Sequence, residues 1–104
     1  MVEPHLAVFG ELWVSLASLL RSYTAAHGLN SKRQATVELG EERITVRQGD
    51  KWLELKRSGA EVEWRREDGR FGSLELTEAG QLRSGAGREE IDMAAERWAR
   101  ELAQ

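Results

Sequence analysis

The chain has 104 residues, of which 40% are hydrophobic and 32% charged, a formal net charge of −3 and no cysteine. This length predicts one domain, residues 1–104, built around a single packed core. The acidic balance argues against binding to DNA or RNA, which usually needs a basic surface, and the lack of cysteine excludes disulfides, zinc–thiolate sites and cysteine-ligated clusters.

The N-terminal segment is predicted to contain no targeting or membrane signal. Met-Val-Glu-Pro-His lacks the positive lead of a secretory signal peptide. The apolar run over residues 6–20 is too short to span a bilayer and contains Glu11. We therefore expect a soluble, cytoplasmic protein that does not contact a membrane.

The first predicted element is a helix over about residues 4–27, with Pro4 in its first turn and Gly28 as its stop. Its apolar side chains cover about half the circumference, although packing on one layer needs a stripe of only about 100°. The surplus allows two interpretations, either full burial against a sheet and a second helix or self-association. The candidate contact residues on this face are Phe9, Trp13, Leu16 and Leu20.

Residues 34–84 predict a six-stranded antiparallel meander, because glycine-containing turns punctuate an alternation of apolar and charged residues. A two-residue Gly40-Glu41 loop would pair Val37 with Ile44. The later turns pair Val46 with Leu53, Leu55 with Trp64, Val62 with Leu74 and Leu76 with Leu82. All these apolar residues fall on one face of the predicted sheet.

The other sheet face is predicted to be charged, with two aromatic residues as exceptions. Trp52 is predicted opposite Arg47, and Phe71 opposite Arg65. One interpretation is cross-strand aromatic and cation–π packing, worth about 0.5–1 kcal/mol for each pair. The other is a partner-binding patch that includes Arg47, Trp52 and Phe71, since Trp and Arg are enriched at interaction hot spots.

The last elements are a flexible Gly85-Ala86-Gly87 link and a second helix over about residues 88–103. Glu89 and Glu90 would lie in the first turn of this helix, where the helix dipole favours negative charge. Its narrow apolar face is typical of a helix that covers a sheet. The predicted fold is therefore α+β: helix, meander, helix, with both helices on one sheet face.

No motif in the sequence predicts catalysis or cofactor binding. His5 and His27 lie near opposite ends of the first helix and cannot share a metal within one chain. There is no nucleophile motif and no phosphate-binding glycine loop. We expect no enzyme activity, no cofactor and no metal site.

The predicted element order resembles the frataxin-like fold. Glu11-Leu12-Trp13-Val14 resembles the first helix of bacterial frataxins, and Trp52-Leu53 with Lys56 and Gly59 resembles the family's Trp-Leu strand. The first helix is also similar to that of a frataxin-like accessory subunit of a bacterial respiratory complex. The resemblance implies a small accessory protein that acts by contact with other proteins.

Frataxins carry an acidic ridge for iron on the first helix and first strand. Here the helix offers only Glu3 and Glu11, with Glu38, Glu41 and Glu42 around the first hairpin. The leading hypothesis is therefore a non-enzymatic interaction module that binds itself as a homodimer or serves as an accessory subunit of another protein. The alternatives are a frataxin-like iron or Fe–S assembly accessory protein and a small-ligand-binding domain.

Overall fold

The computed structural model describes residues 4–27 and 35–103, and within them it shows two helices and one antiparallel sheet. Helix α1 spans Pro4–His27, as predicted, and helix α2 spans Ile91–Ala103. The seven strands pair in chain order: β1 (Thr36–Leu39), β2 (Arg43–Gln48), β3 (Lys51–Ser58), β4 (Glu61–Arg66), β5 (Phe71–Leu76), β6 (Gln81–Ser84) and β7 (Gly87–Glu90). Gly28, the predicted helix stop, and Glu3 lie outside the described residues.

The predicted six-stranded sheet has a seventh strand, β7, where a flexible link and the start of the second helix were expected. Gly87 pairs with Ser84, so only two residues separate β6 from β7. Glu89 accepts a hydrogen bond from Arg97 at 3.0 Å, and Glu90 accepts one from Gln81 at 3.0 Å. These carboxylates are held by side chains of α2 and β6, and α2 begins three residues later than predicted.

The β1–β2 register differs from the prediction by two residues. Val37 pairs with Val46 rather than with Ile44, which pairs with Leu39 instead. The loop is longer than two residues, and the Gly40 amide donates to the Arg43 carbonyl at 2.7 Å. Because side chains alternate with a period of two, this shift leaves every residue on its predicted face.

The other four predicted hairpin registers are confirmed, including Leu55 with Trp64 and Leu76 with Leu82. Two of their turns place a glycine third, and these residues, Gly69 and Gly80, have φ values of 88° and 79°. Such left-handed backbone is accessible to glycine without a Cβ penalty. The turns therefore fixed these registers through local chemistry.

The hydrophobic core lies between one face of the sheet and the two helices, as predicted. Ile44, Leu53 and Leu55 are fully buried there. From α1, Trp13 is 2% exposed and Leu16 and Leu20 are fully buried; α2 contributes Trp98. Burial of each such side chain contributes about 1.5–3 kcal/mol of transfer free energy, so this layer is the main source of stability.

Hydrogen bonds between the helices show that α1 and α2 run in the same direction. The Tyr23 hydroxyl donates to Asp92 at 2.6 Å, and one turn further along both helices His27 lies 3.2 Å from Glu96. The amide of Ile91, the first residue of α2, donates to the Gly80 carbonyl at 3.0 Å. These contacts fix the start of α2 against the β5–β6 turn and the end of α1.

The ionisation of Tyr23 gives a direct test of this helix–helix contact. The hydrogen bond to Asp92, then burial and the nearby carboxylates, raise the pKa of Tyr23 above its ordinary value of about 10. The contact of Tyr23 with Asp92 therefore stabilises the fold below pH 10, and this stabilisation is lost as pH rises through the folded-state pKa of Tyr23. Because Tyr23 is the only tyrosine in the chain, phenolate absorbance should titrate late in the wild type and earlier in Asp92→Asn. Identical titration curves would contradict the contact.

A polar cluster lies within the same layer, at the C-terminal end of α2. Arg66 on β4 has a side chain that is 4% exposed, and its Nη1 donates to Glu101 at 2.8 Å. Glu67 lies 3.6 Å from Arg66 Nη2, and Lys51 Nζ donates to the Glu101 carbonyl at 3.3 Å. A buried guanidinium needs such partners because removing it from water is costly, so the cluster ties α2 to the sheet.

Candidate interaction surfaces

The helix α1 residues of the predicted contact surface lie in the core. Phe9 is 9% exposed, Trp13 is 2% exposed, and Leu16 and Leu20 are fully buried. The sheet and α2 together bury the broad apolar face of α1. This corresponds to the first interpretation of that face, full burial, and not to self-association. A partner therefore cannot contact these four side chains without opening the fold, and a contact surface must be sought elsewhere.

The remaining predicted contact residues lie on the outer face of the sheet, opposite the helices. Arg47 pairs with Trp52, and Arg65 pairs with Phe71, as predicted. Phe71 is 78% exposed, the most exposed large hydrophobic side chain among the described residues. We call Arg47, Trp52, Glu54, Arg65 and Phe71 the outer patch.

Strand register brings the outer patch together. Thr45, Glu54, Arg65 and Phe71 form one row across β2, β3, β4 and β5. Trp52 lies on β3 next to this row, partly exposed, and its amide donates to Glu67 at 3.1 Å. The patch therefore combines two aromatic residues, two arginines and a carboxylate on a rigid sheet.

Among the described residues, the predicted cation–π packing of Arg47 on Trp52 and of Arg65 on Phe71 is not observed. Within residues 4–27 and 35–103, the guanidinium groups over aromatic rings are Arg57 over Trp13 at 5.8 Å and Arg97 over Trp98 at 5.2 Å. Both of those rings belong to the core. The Phe71 ring is 78% exposed to solvent and is therefore accessible to a partner.

Charges around the outer patch are arranged in cross-strand pairs. Glu54 lies opposite Arg65, and Lys56 lies opposite Glu63, across the central strands β3 and β4. Such opposite-charge pairs stabilise a sheet modestly. Toward the β6 side, Glu61 lies opposite Glu75, which forms an ion pair with Arg83.

A second exposed apolar surface was not predicted. Val14 and Leu39 are 52% and 37% exposed and line a groove of about 660 Å³ between α1 and the β1–β2 loop. Trp13 and Arg57 also line this groove, and Glu41 and Glu42 add negative charge. The strand alternation predicted Leu39 on the inner face of the sheet, and the helical period placed Val14 outside the apolar face of α1. The sequence therefore gave no indication that these two residues line one groove.

Of the acidic residues named with the frataxin resemblance, Glu38 lies opposite Thr45 and continues the row of the outer patch onto β1. Glu38 is exposed on β1, and Glu41 and Glu42 are exposed in the loop that follows. Among the residues the structure describes, no group of three or more His, Asp or Glu side chains is positioned to hold a metal ion. No helix in the described ranges is long and apolar enough to cross a membrane.

We compared the chain with protein-family models, curated proteins and solved structures, and none of them matches it. The frataxin-like resemblance is therefore an interpretation of the sequence alone.

Proposed function

We propose that this chain is a non-enzymatic protein-interaction module of the cytoplasm that acts through the outer patch, without a cofactor. The observation that carries the proposal is the 78% exposure of Phe71 on an otherwise charged sheet face. When a partner covers a large exposed ring, the complex is stabilised by about 25 cal/mol for each Å² of apolar surface removed from water.

The residue types around Phe71 support contact with a protein. Trp52, Arg47 and Arg65 are of the types that dominate binding energy when a partner covers them. They lie on strands whose registers are fixed by tight turns, so binding orders side chains but not the backbone. The carboxylates of this face are exposed or lie opposite a basic residue, whereas a general acid or base is usually buried to shift its pKa.

The proposal can be tested by placing a photo-cross-linking amino acid at position 71 in cells that express the chain. Position 93 is the matched control, because Met93 is 59% exposed on α2, on the other side of the sheet. We expect protein adducts from position 71 and few from position 93. Equal yields at the two positions, or no adduct from position 71, would contradict the proposal.

A second candidate function, binding of a small ligand, is favoured by the groove beside α1. Its volume of about 660 Å³ falls in the range of ligand sites, and Val14, Leu39 and Trp13 give it apolar walls. Native mass spectrometry of the purified chain would support this candidate if a small molecule were retained, and if Val14→Glu released it.

A further inference from the structure

The central strands β3 and β4 carry a charge pattern that is complementary to itself. Glu54 on β3 lies opposite Arg65 on β4, and Lys56 on β3 lies opposite Glu63 on β4. These strands are third and fourth in a sheet of seven, so the line between them divides the outer face near its middle. Opposite charges are therefore mirrored across a central line that runs parallel to the strands.

We propose that the partner of the outer patch is a second copy of this chain, packed face to face about a twofold axis along that line. This inference rests on the proposed function of the outer patch. Rotation about such an axis places β3 of one copy over β4 of the other. Glu54 then faces Arg65 of the second copy, and Lys56 faces Glu63, and symmetry forms each pair twice.

The same rotation finds a place for the exposed aromatic ring. It sets β5 of one copy over β2 of the other, so Phe71 faces Thr45, which shares its row across the sheet. Arg47 follows two residues later on the same face of β2, and Trp52 pairs with Arg47 on β3. Phe71 is thus covered by a methyl-bearing side chain beside an arginine and an indole, the kind of contact that aromatic rings favour.

Charge complementarity is the reason to choose a second copy as the occupant. Like charges facing each other across an interface are strongly unfavourable and exclude wrong partners. In this arrangement the facing charges on the central strands are of opposite sign. Two aligned sheets packed about 10 Å apart are a common architecture, and packing of this kind leaves the helices on the outside of the dimer.

Because the facing pairs are charged and at least partly exposed, we expect a modest dissociation constant, on the order of 10 μM. Light scattering behind gel filtration should show a mass that rises with concentration from 11.8 kDa toward twice that value. The variants Glu54→Arg and Arg65→Glu should each weaken dimerisation at least tenfold, because each places like charges opposite one another in both symmetric pairs.

The decisive sample is an equimolar mixture of Glu54→Arg and Arg65→Glu. In a mixed dimer the introduced arginine faces the introduced glutamate, and the retained Arg65 faces the retained Glu54, so dimers should form again. If these charges acted only within one chain, mixing the two variants could not restore the dimer. Phe71→Glu should also abolish the dimer, whereas Met93→Glu, at a similarly exposed position on α2, should leave it unchanged. Circular dichroism checks that each variant is folded.

A wild-type chain that stays monomeric at several hundred micromolar would overturn self-association. A dimer that persists in both charge variants and in Phe71→Glu, or a mixture that stays monomeric, would also overturn this arrangement. If the wild type is monomeric while position 71 cross-links to a different protein, the second-copy inference fails and the proposed function stands. If position 71 gives no adduct at all, the proposed function fails with it.

Discussion

Replacing Trp13 by alanine is expected to lower the free energy of unfolding by about 3–5 kcal/mol, the usual cost of deleting a large core side chain. Trp13 is 2% exposed in the core, and the Arg57 guanidinium lies 5.8 Å from the centre of its ring. The substitution removes packed atoms from α1, and α1 has no other layer of the protein to pack against in compensation. Urea unfolding followed by circular dichroism measures the change.

Val14→Ala is the matched control, because this neighbouring residue on the same helix is 52% exposed. It should change the unfolding free energy by less than about 0.5 kcal/mol, as surface substitutions usually do. A folded and stable Trp13→Ala variant that had lost only a binding partner would show instead that this helix face is an interface.

Removing the carboxylate of Glu101 should cost about 2–3 kcal/mol of stability. Arg66 would lose its 2.8 Å partner while its side chain stays 4% exposed, and Glu67 at 3.6 Å would be the nearest remaining carboxylate. Breaking a fully buried pair typically costs about 3–5 kcal/mol, and the 34% exposure of Glu101 reduces this figure. Denaturant unfolding of Glu101→Ala gives the value.

A double-mutant cycle separates the ion pair from general packing. Arg66→Met keeps much of the aliphatic stem and removes the charge, so Glu101→Ala should cost only about 1 kcal/mol in that background, where the contact of Glu101 with Arg97 remains. We expect a coupling free energy of about 1–2 kcal/mol between the two positions. Arg97→Met is a useful comparison, because Arg97 contacts Glu101 at 3.7 Å from a side chain that is 38% exposed. Additive effects of Arg66→Met and Glu101→Ala would contradict the role of the cluster.

The position of the outer patch could be predicted from the sequence, but the exposure of its side chains could not. Alternation and turn chemistry predicted that Arg47, Trp52 and Phe71 share one face, and the registers of β2–β3 and β4–β5 agree. The sequence pattern predicted both helices on the other face, but the exposure of each outer side chain also depends on how its neighbours pack in the folded sheet. The structure places both on the opposite face, and Phe71 is 78% exposed for that reason.

Local chemistry determined much of this fold from the sequence alone. The bounds of α1, four of the five predicted hairpin registers and the inward face of each predicted strand follow from glycine turns and residue periodicity. These signals act over a few residues, so they do not depend on which other elements are nearby. They also required both helices to cover one sheet face, since the apolar residues lie on that side.

Tertiary structure decided the features that local patterns leave open. The β1–β2 register could shift by two residues because that shift keeps every side chain on its face. Residues 88–90 joined the sheet because β6 offered an unpaired edge, whereas a helical turn of these charged side chains had no core to cover. The broad face of α1 and the Arg66 guanidinium are buried because α2 packs over the sheet beside them, and local patterns do not specify which layers meet at a site.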